Sequence, residues 1–329
     1  MVILANNQKE LGAVLDANIT IDTNGDKRFS IQIARCNWHP DLIFSNYVYV
    51  PETEFGGIIG EIITSTSLDY VELQGHTWRG KLYNKIIEPP AGSDYRIVSG
   101  DLHEILADII EPEFNGLFVV SSELTGVILT NYQFHLRCHM LDGIQDMLKS
   151  VRYKLKITHK REQGMQGYIF IEAVPIFDYS ERIEMSQDNQ LHFTMDDMRD
   201  GINHLIVGGK GELQDRTIIH LYVQADGSIG NTPYYTGLDE NVDFYENTAA
   251  ETDEELEQYG VEHLKSVMNK KTFKMDLDSL GIDVEIGDIV GGRDYLTGLY
   301  MTKPIENIIY TISDEGVVSK EYKLEGEGE

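Results

Sequence analysis

The sequence predicts an α+β fold that is mainly β, with β-rich ends around a helical middle. Three observations predict it. Short β-rich runs broken by Gly, Pro and Ser fill the first 90 residues; the hydrophobic period changes near residue 101; and β character returns from about residue 181.

In the first stretch, NITID, TNGD and RFSIQIA read as strand, turn and strand. Asn24-Gly25 suits a tight hairpin, because both residues tolerate positive φ. The runs YVYV, GGIIGEIITSTS and DYVELQGHT follow, as in a small barrel or sandwich. Pro89, Pro90 and Gly92 mark a break. Asp101 then caps a helix with Glu104 as its reciprocal partner, and Leu102, Ile105, Leu106, Ile109 and Ile110 line one face before Pro112. A second helix is expected near 139–150, with Leu141, Ile144, Met147 and Leu148 on one side. The strands KLKITHK and YIFIEAVPI come next, joined by a turn at 164–167.

From about 181, INHLIVGGKGE and RTIIHLYVQADGSI read as strands, with Asp226-Gly227 as a turn. Thr252 and Glu255 form a capping-box pair that opens a helix. Its apolar stripe is Leu256, Tyr259, Leu264, Val267 and Met268, its first turn is acidic and its last turn basic. The stretch from TFKMDLDSL to KEYKLEGEGE is β again, ending in an acidic stub.

The 329 residues are 41% hydrophobic and 25% charged, enough apolar material for a sizeable core. Single cores stop growing at roughly 250–300 residues, so two or three domains are expected. Acids number 55 against 27 bases, a net charge of −28. The excess is −4 over 1–100, −4 over 101–180 and −20 over 181–329. A nucleic-acid binder gains affinity from Lys and Arg on phosphates, and a peripheral membrane protein needs a basic face, so sequence-specific nucleic acid and membrane insertion are both disfavoured. Cys36 and Cys138 make no disulfide framework, which fits a reducing site of synthesis in the cytoplasm. There is no run of 18 apolar residues and no basic, signal-like N-terminus.

No chemical constellation stands out. His135, Cys138 and His139 lie close together, but zinc wants three or four ligands and a matching second cluster is missing. VGGKGE lacks the GxxxxGK[ST] spacing of a phosphate loop, so its glycines read as bend or bulge positions. Asp22, Asn24 and Asp26 resemble a calcium loop only faintly. Gly25 falls fourth and Ile33 twelfth, where such a loop needs Gly sixth and Glu twelfth. Pairs such as Asp196/Asp197 and Asp253/Glu254/Glu255 are uninformative among so many acids. GxSxG and HExxH are absent. Trp38 and Trp78 sit inside β patterns where burial is the default. The expectation is therefore a non-enzymatic chain with no catalytic, cofactor-binding or metal residues and no cofactor.

Five stretches in order carry a resemblance: EFGGIIGEI with LQGHTWRGKLYNKIIEPP (54–62 and 73–90); the helix near 139–150 with its two strands and FDYS; INHLIVGGKGELQDR (202–216); YGVEHLKS (259–266); and IDVEIGDIV (282–290). Together they resemble the tail-hub proteins of contractile phage tails and related bacteriocins. The stretch 91–135 carries none of that family's motifs.

That resemblance implies two similar antiparallel β-barrel domains flanking a mixed α/β domain. The implied boundaries are 1–92 for the first barrel, 93–180 with 240–270 for the middle domain, 181–239 with 271–325 for the second barrel, and 326–329 for the stub. It further implies a homotrimeric ring adapting a hexameric tail tube to a trimeric spike. The partners would be the tube, the spike and neighbouring baseplate or tape-measure proteins, in a particle assembled after synthesis in a bacterial cytoplasm. Part of the acidic surplus in 181–329 would line the lumen and repel passing DNA. The competing readings are a carbohydrate-binding tail-tip module, which wants an exposed aromatic platform, and a tail-associated cell-wall hydrolase.

Overall fold

A computed structural model of the chain describes residues 2–5, 10–14, 17–161, 167–180, 193–275 and 284–325. The turn expected at 164–167 lies outside these except for Gly167. Most of TFKMDLDSL, the start of IDVEIGDIV and the stub at 326–329 also lie outside them. The chain divides into two compact units, Met1–Phe193 with Lys274–Glu327, and Thr194–Phe273. The fold is mainly β, as expected.

The first unit begins with β1 (Val2–Ala5), β2 (Glu10–Val14), β3 (Ala17–Asp22), β4 (Arg28–Ala34), β5 (Tyr47–Tyr49), β6 (Gly56–Thr64) and β7 (Tyr70–Thr77). Its last strands are β19 (Ile289–Arg293), β20 (Tyr300–Ile312) and β21 (Val318–Leu324). These ten strands form one curled sheet in the order β19-β20-β3-β4-β7-β6-β5-β1-β2, with β21 also paired to β20. The strands of 289–324, expected in a barrel with 181–239, are thus hydrogen-bonded into the sheet of the N-terminal strands.

Strict alternation explains which face is inside. Ile19 and Ile21 of β3, Phe29, Ile31 and Ile33 of β4, and Val71 and Leu73 of β7 are buried, while the residues between them are less so. Register stacks these side chains: Tyr310 opposes Ile21, Ile21 opposes Phe29, Phe29 opposes Gly75 and Gly75 opposes Ile59. The Phe29 ring occupies the space that Gly57 and Gly75 leave. A Cβ on Gly75 would lie 2.7 Å from Phe29 Cε1 and 2.0 Å from the Ile58 carbonyl oxygen. Burying a side chain of this size stabilises the fold by about 1.5–3 kcal/mol.

The hairpin expected at Asn24-Gly25 is a longer connection, Thr23–Lys27, with positive φ at Lys27. Contacts to β20 draw it out. Asn307 is 2% exposed and projects inward beside a bulge between Ile305 and Asn307. Its Oδ1 accepts from the Asn24 amide at 2.8 Å, and its Nδ2 donates to Asp22 Oδ1 at 2.8 Å. Asp22 also accepts from the Gly25 amide at 2.8 Å, so its carboxylate closes a turn.

The same unit carries α1 (Trp78–Tyr83), β8 (Ile97–Asp101), α2 (Leu102–Ile110), β9 (Phe118–Val120), β10 (Ile128–Gln133), α3 (Met140–Lys149), β11 (Tyr153–Lys160) and β12 (Tyr168–Pro175). β11, β12 and β9 form a sheet, with β9 parallel to β12. Leu102, Ile105, Leu106, Ile109 and Ile110 of α2 and Leu141, Ile144, Met147 and Leu148 of α3 pack with Ile157, Ile169 and Ile171 in one core. The capping box at Asp101 and Glu104 is formed. The Asp101 carboxylate also accepts from Thr125 Oγ1 at 2.9 Å and from the Gly126 amide at 2.8 Å. Burial pushes this carboxyl up, but the hydrogen bonds outweigh it and hold it below the usual range.

The second unit contains β13 (Phe193–Met198), β14 (His204–Gly208), β15 (Ile218–Val223), β16 (Ile229–Gly230), β17 (Val242–Glu246), α4 (Asp253–Val267) and β18 (Lys270–Met275). Its main sheet runs β16-β15-β14-β17, with β14 and β17 parallel. Gly227, at φ +82°, makes the expected turn between β15 and β16. The expectation that 240–270 joins 93–180 does not match this unit, because α4 packs on its own sheet. Leu256 and Leu264 are buried with Leu205, Val207 and Leu221, and Gly260 brings the helix close: a Cβ there would lie 2.6 Å from Val207 Cγ2. Tyr259, expected on the apolar stripe, is 39% exposed. The Thr252 hydroxyl accepts from the Glu255 amide, while the Glu255 carboxylate reaches the Glu251 amide one residue further back.

Candidate functional site

The stretches singled out in the sequence converge on structural joints. The first is Arg79, from HTWRGKLY. Thr77 caps α1 by accepting from the Gly80 amide, and this turn carries Arg79 inward to 3% exposure. Its Nε donates to Glu54 Oε2 at 2.8 Å and its Nη2 to the Leu155 carbonyl at 3.1 Å. One guanidinium thereby ties the loop before β6 to β11, and its planar fork supplies both donors without losing charge.

The second joint is Asp288, from IDVEIGDIV. Gly287 takes φ +93°, and a Cβ there would lie 2.9 Å from Lys154 Cβ, so glycine permits both the turn and the close approach. Asp288 is 2% exposed. Its Oδ1 lies 2.7 Å from Lys154 Nζ and accepts from the Phe177 amide at 3.0 Å; its Oδ2 accepts from the Glu285 amide at 3.0 Å. Lys154 is 7% exposed and also meets Glu285 at 2.8 Å, which in turn meets Lys156 at 2.6 Å. Burial raises the Glu285 carboxyl, but the two lysines outweigh it and hold it below the usual carboxylate range. Beside these joints lies a cleft of about 280 Å³ that Arg79, Lys154, Gln145, Tyr153, Ile286 and Pro304 help to line. Its two buried cations are already paired, so its walls position backbone and side chains.

A third cluster involves His159, 4% exposed and stacked on Tyr49 with ring centroids 3.6 Å apart. Burial pushes its pKa down to about 4, so it is a neutral core residue. Tyr49 donates to Glu10, which pairs with Arg161. In the second unit, Asn203 Oδ1 accepts from the Asn241 amide at 2.9 Å and its Nδ2 donates to the Asp239 carbonyl, anchoring the loop before β17.

The other sequence candidates fall apart in space or into structural roles. His139 stands at the N-cap of α3, stacked on Tyr83 and bonded to its carbonyl, while His135 is exposed and the Cys138 sulfur faces Gly143. VGGKGE closes β14 and turns toward β15, with Gly211 at φ +104°. Asp197 pairs with Arg199, and Asp253, Glu254 and Glu255 form the first turn of α4. Among the described residues, no three His, Cys, Asp or Glu side chains gather as a metal site. Trp78 is 1% exposed, but Trp38, expected to be buried, is 36% exposed because it follows a short 3-10 turn that leaves the sheet. Sequence reasoning missed Lys154 and Asn307, and it quoted Arg79 within a motif without giving it a role. Lys154 falls in the polar phase of KLKITHK, so alternation gives no sign of its burial, whereas Asn307 interrupts the apolar run of PIENIIYTI.

No family model and no curated protein matches the chain. Among solved structures, it is similar to a tail protein from Neisseria meningitidis MC58, with a TM-score of 0.50, 14% identity, and 99% of this chain and 96% of that one covered. It is also similar to the 43 kDa tail protein of prophage MuSo2 from Shewanella oneidensis (TM-score 0.48, 12% identity, 98% and 97% covered). A third similar structure is prophage tail protein gp18 from Listeria monocytogenes EGD-e (0.46, 11%, 98% and 93%). The chain therefore shares the fold of the Neisseria meningitidis tail protein.

Proposed function

We propose that this chain is a structural hub of a phage tail or related tail-like contractile particle. Three copies close into a ring that adapts a sixfold tail tube to a threefold spike. The observation that carries this reading is that the fold shared with the Neisseria meningitidis tail protein spans 99% of this chain and 96% of that one. The motif residues fit the reading, since Arg79 and Asp288 fasten layers together as a load-carrying part requires. The chain works without catalysis, is made in the bacterial cytoplasm, and takes its place at the tail tip beside the tube, the spike and neighbouring baseplate proteins. Part of the acidic surplus beyond residue 181 faces the lumen, where it repels the phosphates of passing DNA.

The test is to tag the chain in the cell that makes it and isolate what it binds. The reading expects whole tail particles, with tube and spike proteins in fixed ratio to the tagged chain. Recovery of the chain alone, from cells whose assembled tails lack it, contradicts the reading.

A further inference from the structure

The sheet of the second unit is covered by α4 on the face of Leu205, Val207 and Leu221. On the opposite face, register sets Ile206 between His220 and Phe244, Gly208 between Ile218 and Glu246, and His204 between Tyr222 and Val242. Ile218, Val242 and Phe244 are 43%, 47% and 49% exposed there. The strands do not read as half-solvated ones. HLIVG of β14 and IIHLYV of β15 hold no charged residue and carry apolar side chains in both phases, the pattern of strands covered on both faces. β14 and β17 also pair in parallel, an arrangement found mostly in sheets with helices on both faces.

The open edge of this sheet is blunted. β17 is its last strand, and Asp243 Oδ1 accepts from the Phe244 amide at 2.8 Å, which takes a donor that an incoming strand would use. A partner therefore lies across the face and does not extend the sheet. Glu240 precedes β17 and Glu246 ends it, so their backbones stand about 20 Å apart along the extended chain. A helix covers that length in about 13 residues.

Charge selects the occupant. Residues 201–247, the sheet with its connections, hold 7 acids against 2 bases, Lys210 and Arg216. Glu246 meets Arg216 through Oε1 at 2.7 Å, and Glu240 meets His204 through Oε1 at 2.7 Å, so each carboxylate spends one of its two oxygens there. The Glu246 side chain is exposed and that of Glu240 partly so. An apolar centre between two acidic ends complements a helix with an apolar face and a cation toward each end. A second copy of this chain, at net charge −28, has the wrong sign, and so has nucleic acid. We infer that this face docks a basic amphipathic helix of another protein. Its apolar side chains lie on Ile218, Val242 and Phe244, and its Lys or Arg residues meet Glu240 and Glu246. The inference uses none of the ring geometry of the hub reading.

The probe is a synthetic helix of about 14 residues with Leu along one face and Lys at both ends. Its controls are the same residues in scrambled order and a version with Glu in place of every Lys. Binding to the full chain is read by fluorescence anisotropy from about 50 to about 300 mM salt. A second preparation, with photo-crosslinking p-benzoylphenylalanine in place of Phe244, locates the bound peptide. The expected results are saturable binding of the probe alone, weakening as salt rises, and crosslinks from position 244 to the peptide. Phe244→Ser should bind at least about tenfold more weakly, and Glu240→Gln with Glu246→Gln should flatten the salt dependence. Hydrogen exchange of α4 confirms that these variants are folded. Failure of wild type to bind, equal binding of the scrambled helix, or undiminished binding by folded Phe244→Ser overturns the inference. Crosslinks that join two copies of the chain overturn it as well. None of these results touches the hub reading, which falls only if assembled tails lack the chain.

Discussion

Replacing Asp288 with alanine removes the anion nearest Lys154 and the acceptor of two backbone amides. Lys154 is 7% exposed, so its ammonium cannot recover the loss from water. Breaking a buried ion pair costs about 3–5 kcal/mol. Glu285, still 2.8 Å from Lys154, puts this case at the lower end. The orphaned amides of Phe177 and Glu285 add about 1 kcal/mol each, for a total near 5 kcal/mol. At about 2–4 °C per kcal/mol for a unit of this size, the Tm falls by about 10–20 °C. The assay is intrinsic fluorescence during thermal or urea unfolding. The two tryptophans, Trp38 and Trp78, both lie in the first unit, so the signal reports on that unit alone. Adding Lys154→Met to Asp288→Ala should restore more than half of the loss, because the unpaired buried charge goes with it. A single variant within about 0.5 kcal/mol of wild type, or a double variant no better than the single, refutes the reasoning.

His159 has a pKa depressed to about 4, so the unfolded chain binds its proton first. Its stabilising contribution is complete above about pH 6.5 and declines as pH falls toward 4, by at most about 3 kcal/mol. Urea midpoints between pH 7 and 4 should show this slope in wild type and a flatter one in His159→Phe. Gly75→Ala forces a Cβ to within 2.0 Å of the Ile58 carbonyl, so a loss of about 3 kcal/mol or more is expected in the same fluorescence assay, and Phe29→Leu should not rescue it. Thr252→Ala removes the acceptor for the Glu255 amide and should cost about 1 kcal/mol, read as faster hydrogen exchange in the first turn of α4 with the tryptophan transition unchanged.

The parts of the fold that local pattern dictates were legible in the sequence. The alternations in NITID, RFSIQIA and DYVELQGHT became β3, β4 and β7, and the Asp101 and Thr252 caps opened helices where the residues indicated. The pairing of β20 with β3 was not legible. Its partners lie some 290 positions apart, and alternation fixes a strand's face without naming its neighbour. The same limit hid the place of α4, whose stripe fits any apolar surface until Gly260 is seen against Val207. The Asn24-Gly25 turn was misread because Asn307, far along the chain, supplies the bonds that reshape it. At the joints, Asp288 and Arg79 were visible within motifs. Their role became apparent only when folding buried them beside Lys154 and Glu54.

Imaging the tail tip of intact particles at side-chain resolution tests the hub reading most directly. The account predicts three copies in a closed ring between tube and spike. Density showing this chain as separate monomers on the particle's periphery, or missing from the particle, would contradict it.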